Sequence, residues 1–114
     1  MTAAPQQLAS LISRAAEDKK ARDVVILDLH DISVVCDYFV ICSGNSSTQV
    51  KAIAESIEKT LKEEGIRVSR IEGMQDARWV LLDYGSVVAH VFQEAERSFY
   101  NLEHLWGDAK VVHF

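Results

Sequence analysis

Apolar residues recur along this chain with two periods, and each change of period marks a new element. Leu8, Leu11, Ile12 and Ala15 keep the i, i+3, i+4, i+7 spacing of an amphipathic helix. Glu17 to Lys20 form its charged end, with Lys19 and Lys20 where the helix dipole favours cations. The pattern predicts a helix over roughly 6–20. Val24-Val25-Ile26-Leu27, bounded by Asp23 and Asp28, is β-branched and too short for a helix, so it predicts a buried strand. Asp31 to Asp37 is a connection, and Tyr38-Phe39-Val40-Ile41-Cys42 is a second strand of the same kind. Both runs are apolar at consecutive positions, which predicts a sheet covered on both faces there.

Gly44-Asn45-Ser46-Ser47 ends that strand and opens a helix, with Ser46 and Gln49 at capping-box spacing. Val50, Ile53, Ala54, Ile57 and Leu61 keep the helical period to a stop at Gly65. Glu55 with Lys59 and Glu58 with Lys62 are favourable i, i+4 pairs on the wet side. Ile66 to Ile71 alternates and predicts a moderately exposed strand, and Glu72 to Ala77 is turn-like. Arg78 to Tyr84 and Val87 to Phe92, joined through Gly85-Ser86, predict an antiparallel hairpin. Ala95, Phe99, Leu102 and Trp106 share a helical stripe, which predicts one helix over 94–106 that stops at Gly107. Val111 to Phe114 is a short apolar tail, able to pair with a sheet edge or to stay loose. The order α-β-β-α-β-β-β-α implies an α/β fold, with a single mixed sheet of about five strands flanked by helices.

Composition narrows the function. The 114 residues fit one domain over 1–114, are 48% hydrophobic and hold one proline, as expected of a globular chain rather than a disordered one. No apolar run approaches the ~20 residues of a membrane span, and Met1 to Gln7 does not resemble a secretory signal. The net charge is −5. Residues 1–65 carry 7 bases and 10 acids, and residues 66–114 carry 5 and 7, so neither half is a basic patch. Direct binding to nucleic acid or to an anionic membrane is disfavoured, since both draw on Lys and Arg. Cys36 and Cys42 form neither a redox CxxC nor a zinc set, and read as reduced, buried residues of a cytoplasmic protein.

Candidate chemistry is sparse. Strand–Gly44-Asn45-Ser46-Ser47–helix is similar to the Gly-Ser turn of nucleotidyltransferases, but the paired carboxylates that hold two Mg²⁺ ions in those enzymes do not follow it. A capped helix start is the simpler reading, with a nucleotide-binding or residual transferase site as the alternative function. His30, His90, His104 and His113 share no metal-ligand spacing. His90 alternates with Val88 and Phe92 and reads as a hydrogen-bonded, half-buried histidine. Ser46, Ser47 and Ser98 lack a nucleophile-elbow context. No catalytic, cofactor or metal residue is expected, and the chain reads as a non-enzyme.

The aromatics instead concentrate in the C-terminal third, at Trp79, Tyr84, Phe92, Phe99, Tyr100 and Trp106. Trp79, Leu81 and Asp83 share one strand face, and Val80, Leu82 and Tyr84 the other. Phe92 and Phe99 read as core; Trp79, Tyr100 and Trp106 are open between core and an exposed binding patch.

Arg78-Trp79-Val80-Leu81-Leu82-Asp83-Tyr84-Gly85-Ser86-Val87-Val88-Ala89-His90-Val91-Phe92 closely resembles the signature hairpin of the ribosomal silencing factor (Iojap-related) family. Arg97-Ser98-Phe99-Tyr100-Asn101-Leu102-Glu103-His104-Leu105-Trp106 resembles that family's closing helix, and Asp37 to Ser47 and Glu72-Gly73 match it upstream. The likeness covers about residues 8–110. It implies a nucleotidyltransferase-like fold without catalytic carboxylates, and a translation repressor. Such a protein binds the large ribosomal subunit, chiefly through its universal protein fourteen. It thereby sterically blocks joining of the small subunit in starvation or stationary phase. The likeness also implies a homodimer when free. It places the contact on Trp79, Asp83, Tyr84 and Gly85 of the hairpin and on Tyr100, Leu102, Leu105 and Trp106 of the closing helix. An acidic chain suits a basic ribosomal protein better than ribosomal RNA. A third reading is a dimerising domain that buries the aromatic patch between copies.

Overall fold

The computed structural model describes residues 4–34 and 36–114, apart from the side chain of Phe99. The expectation that Phe99 is core therefore lies outside the described residues, as do Val35 of the 31–37 connection and residues 1–3.

Helix α1 spans Pro5–Glu17 and is followed by strands β1 (Arg22–Asp28) and β2 (Tyr38–Gly44). Helix α2 (Ser47–Glu63) leads to β3 (Arg70–Glu72), β4 (Trp79–Asp83) and β5 (Val87–Gln93). The chain closes with α3 (Glu94–Tyr100), α4 (Leu102–Leu105) and β6 (Lys110–Val112). The strands form one mixed sheet in the order β3-β4-β5-β2-β1-β6. Only the central pair, β2 with β5, is parallel, with Val40 opposite Ala89 and Ile41 opposite His90; the other pairs are antiparallel.

Strand alternation sorts the side chains onto two faces. Val40, Cys42, Val80, Leu82, Val87, Ala89 and Val91 point to one face, where α1 and α2 lie. Leu8, Ile12, Ile53, Ile57 and Leu61 of those helices complete a core that excludes solvent almost entirely. The other face holds Leu27, Leu29, Cys36, Ile41 and Phe92, fringed by the partly buried Val25, Phe39, Trp79, Val88, Leu102, Trp106 and Ala109. Among the described residues, α3, α4 and the approach to β6 lie over it, and Leu29 and Cys36 of the β1–β2 connection pack with it. We call these the helix face and the open face.

Several boundaries differ from the pattern's expectation, each for a local reason. The first helix ends at Glu17 because the chain turns through Lys20 at φ 60°. The capping box of α2 is half formed. Ser46 Oγ accepts from the Gln49 N–H at 3.1 Å, but Gln49 Oε1 accepts from the Asn45 N–H at 2.7 Å rather than from Ser46. The strand expected over 66–71 shrinks to Arg70–Glu72, since Ile66 and Val68 turn toward the helix-face core instead of joining the sheet. The helix expected over 94–106 is broken at Asn101, which takes the left-handed conformation (φ 47°, ψ 57°) and separates α3 from α4. Asn tolerates that region where most residues do not. The sheet has six strands rather than about five, because the tail pairs with β1 through Ile26–Val112, Leu27–Val111 and Asp28–Lys110.

Candidate functional site

Among the described residues of the C-terminal third, Trp79, Phe92, Tyr100 and Trp106 converge on the open face, and the β4–β5 hairpin builds it. Gly85 opens the two-residue turn at φ 85°, a conformation that such hairpin turns require and that glycine adopts without strain. The turn closes with the Tyr84 N–H donating to the Val87 carbonyl at 3.0 Å, and Asp83 Oδ1 accepts from the Gly85 N–H at 2.8 Å. At the other end of β4, Gly73 lies against the backbone of Trp79. A Cβ on Gly73 would sit 2.0 Å from the Trp79 carbonyl oxygen, so only glycine fits there. The hairpin register then sets Trp79 opposite Phe92, Leu81 opposite His90 and Asp83 opposite Val88.

Trp79 is half-buried within an aromatic cluster. Its ring stacks on Phe92 with centroids 4.9 Å apart and meets Tyr100 at 4.7 Å. Its Nε1–H donates to His90 Nδ1 at 3.0 Å. His90 is 4% exposed and lies beneath the rings of Phe39 and Trp79. Burial pushes its pKa down to about 4. The histidine is thus hydrogen-bonded as expected, but fully rather than half-buried.

The closing segment is held by Arg97, whose side chain is nearly buried. Its guanidinium donates to both carboxylate oxygens of Glu103, each at 3.0 Å, to Ser43 Oγ at 2.7 Å and to the Arg22 carbonyl. This fork spans the break at Asn101 and ties α3 and α4 to the ends of β1 and β2. Leu102 and Trp106 of the closing segment consequently turn down onto the sheet, where Trp106 meets Phe39 edge-to-face at 5.7 Å. Leu105 and Tyr100 turn outward, at 71% and 48% exposure.

The structure therefore brings together most of the residues singled out by sequence. Trp79, Tyr100, Leu102, Leu105 and Trp106 lie on the open face, with Asp83 and Gly85 at the turn end of the same strand. Tyr84 does not join them. Its side chain points to the helix face, where burial and the neighbouring Glu58 raise its pKa and its hydroxyl has no hydrogen-bond partner among the described residues.

Sequence reasoning missed two features of this face. Ile32 and Val34, in the connection after β1, are exposed at 41% and 105%. The signal was the apolar content of the connection from Asp31 to Asp37, which holds Ile32, Val34, Val35 and Cys36. That loop meets the hairpin turn, where the Asp37 N–H donates to the Ser86 carbonyl at 2.7 Å. The second is a pair of carboxylates near Cys36: Asp37 and Asp83 add to the desolvation that pushes its thiol pKa up to about 11, and Asp83 also lies 3.9 Å from the Arg70 guanidinium. Cys42 is buried on the helix face with its pKa pushed up to about 12, so both thiols are inert by environment.

The turn at Gly44–Ser47 is filled from within. Beyond the two bonds already given, the Val50 N–H donates to the Ser46 carbonyl and the Gln49 side-chain amide donates to the carbonyls of Lys19 and Lys20. The N–H groups of Asn45 and Gln49 are thereby engaged within the turn itself. Among the described residues no His, Cys, Asp or Glu group is placed to hold a metal ion, and no helix is long and apolar enough to cross a membrane.

A family model described as "Ribosomal silencing factor during starvation" matches residues 2–114. Proteins named ribosomal silencing factor from Halalkalibacterium halodurans and from Bacillus subtilis are each 52% identical over 107 residues, covering 94% of this chain and 92% and 91% of theirs. A crystal structure of a protein from Chromobacterium violaceum superposes with a TM-score of 0.90 at 37% identity, over 92% of this chain and 88% of that one. With a family model matched along nearly its whole length and relatives this similar, the chain belongs to the ribosomal silencing factor family.

Proposed function

We propose that this protein is a ribosome-associated silencing factor that docks its open face on the large ribosomal subunit and obstructs joining of the small subunit. The observation that carries the reading is the contrast in cover: the helix face is sealed, whereas the open face leaves Tyr100 and Leu105 in solvent beside the half-buried Trp79. Aromatic anchors set among apolar neighbours supply most of the binding energy in protein interfaces. The net charge of −5 favours a basic protein over RNA as the direct contact. By family resemblance that contact is the large subunit's universal protein fourteen, with Trp79, Asp83, Gly85, Tyr100, Leu102, Leu105 and Trp106 supplying the interface. Tyr84 would enter only through its backbone at the turn. Obstruction needs a rigid body and residence time, not chemistry, so the protein acts without cofactor. The free protein is a homodimer in this reading and works in the cytoplasm.

The test is co-sedimentation with purified large subunits, followed by subunit-joining assays. Wild type pellets with the particles and suppresses joining, and a folded Tyr100→Ala variant does neither. Wild type left in the supernatant at micromolar protein overturns the proposal.

A further inference from the structure

The structure assigns His90 the role of positioning residue for Trp79: its Nδ1 selects the one orientation of the indole that the open face presents to a partner. The inference rests on the reading of that face as a docking surface, and adds to it the group that sets the shape of its central anchor.

The cross-strand register makes a second determinant necessary. Trp79 lies directly opposite Phe92, and its ring stacks there at 4.9 Å with 26° between planes. Tyr100 packs against it at 4.7 Å. Stacking holds the plane of the indole but is nearly indifferent to which edge points where. Turning the ring over about χ2 keeps its faces covered and sends the Nε1–H, and the bulky six-membered ring, to opposite sides. A hydrogen bond separates the two states, because the N–H finds an acceptor in only one of them. That acceptor is His90 Nδ1, at 3.0 Å, on the diagonal position of the neighbouring strand.

His90 is built to be an acceptor. Its environment holds it neutral, and a neutral imidazole that accepts at Nδ1 must carry its proton on Nε2. The Nε2 atom is buried without a hydrogen-bond partner among the described residues. Phe39 stands edge-to-face to the imidazole at 4.5 Å, and Phe92 lies nearly parallel to it at 6.2 Å. A residue retained for volume alone would be served by phenylalanine or leucine, with no orphaned N–H. The polar cost is understandable if Nδ1 is what the site requires.

Two substitutions separate positioning from packing. His90→Phe keeps an aromatic ring and removes the acceptor. His90→Asn loses volume but places Oδ1 close to the position of Nδ1. The indole N–H resonances are read by ¹⁵N NMR on the free protein, with Trp106 as the internal comparison. In the wild type the Trp79 Nε1–H is shifted by its hydrogen bond and exchanges slowly with water. In His90→Phe that signature is lost while Trp106 is unmoved, and His90→Asn restores it in part despite its poorer packing. Affinity for purified large subunits follows the same order, with His90→Phe weaker by about tenfold, the worth of one well-formed hydrogen bond. A Trp79 resonance equally shifted and protected in His90→Phe overturns the assignment. So does an affinity that tracks packing, with Asn below Phe. If Asn does not fold, the wild type and Phe comparison decides alone. Failure of the wild type to bind particles overturns the ribosomal reading and not the orientation of the indole, which the free protein reports.

Discussion

The two faces of the sheet solve the same burial problem with different materials. The helix face is aliphatic: Ile12, Ile53, Ile57, Val80, Leu82 and Leu61 are each at 0% exposure beneath two helices of 13 and 17 residues. The open face adds Phe39, Trp79, Phe92 and Trp106 to its aliphatic residues, and its cover includes two helical pieces of 7 and 4 residues joined at a left-handed asparagine. Aliphatic chains under long helices maximise buried area and carry no polar demands. Aromatic chains under a thin cover keep part of their area exposed and bring N–H groups that need partners. The first face carries the stability of the fold, and the second trades completeness of burial for a surface that another molecule can complete.

If that division is correct, truncating the sealed face has the largest energetic effect. Ile57→Ala leaves a cavity between α2 and the sheet and destabilises the protein by about 3–4 kcal/mol, seen as a shifted urea midpoint with unchanged slope. Any protein that remains folded keeps its affinity for large subunits, because the open face is untouched. A folded Ile57→Ala protein without affinity would break the division.

The next effect is a pH dependence that originates on the open face. His90 has a folded pKa of about 4 against 6.5 for an exposed histidine. Above pH 6.5 both folded and unfolded states hold it neutral, so it contributes no pH dependence there. As pH falls from 6.5 toward 4 only the unfolded state gains the proton, and stability drops by about 3 kcal/mol. The rings of Phe39, Trp79 and Phe92 surround the imidazole, and desolvation by burial is the cause of the shift. Denaturant titrations at several pH values, compared with His90→Phe, isolate this contribution as the difference between the two curves. Parallel curves would show that His90 is solvated.

Loosening the thin cover comes third. Arg97→Ala removes the fork to Glu103 and the bond to Ser43 and costs about 2 kcal/mol, the range for charge-assisted hydrogen bonds partly out of water. Its signature is local. Amide exchange in α4 and in β6, which has only three residues paired to β1, accelerates well before that of α2. Uniform acceleration would mean that the closing segment is as integral to the fold as the helices.

Legibility in the sequence follows the same contrast. The elements of the helix face could be read because each is long and periodic: the stripe Val50, Ile53, Ala54, Ile57 and Leu61 is buried as its spacing implies. The alternation of β4, with Trp79, Leu81 and Asp83 opposite Val80, Leu82 and Tyr84, also appears in the fold. What escaped the pattern depends on contacts remote in sequence. The break at Asn101 interrupts a continuous stripe and is stabilised by Arg97 reaching across it to Glu103 and back to Ser43. The pairing of the tail with β1 needs a free edge, which no local period reveals. The resemblance groups Tyr84 with the binding residues, whereas strand alternation puts its side chain on the face away from Trp79. Ile32 and Val34 lie in a connection without a hydrophobic period, so no local pattern sets their exposure.

The smallest effect on stability is expected at Leu105, on the proposed docking surface. Leu105 sits in a helix of only four residues and is 71% exposed. Its removal uncovers little new surface and leaves no cavity, so Leu105→Ala changes stability by less than about 0.5 kcal/mol. A solvated leucine contributes nothing to the fold that alanine would not, and its area becomes useful only when a partner excludes the water. Burying it fully at an interface is worth roughly 1.5–3 kcal/mol, so the substitution weakens binding to large subunits by at least about tenfold. Leu105→Asp adds the cost of burying a charge and weakens it further, again without unfolding the protein. Unfolding curves and sedimentation profiles measured on the same preparations separate the two quantities. Loss of stability in step with loss of binding would place Leu105 in the cover of the open face; binding lost at constant stability places it at the surface which that cover leaves for the ribosome.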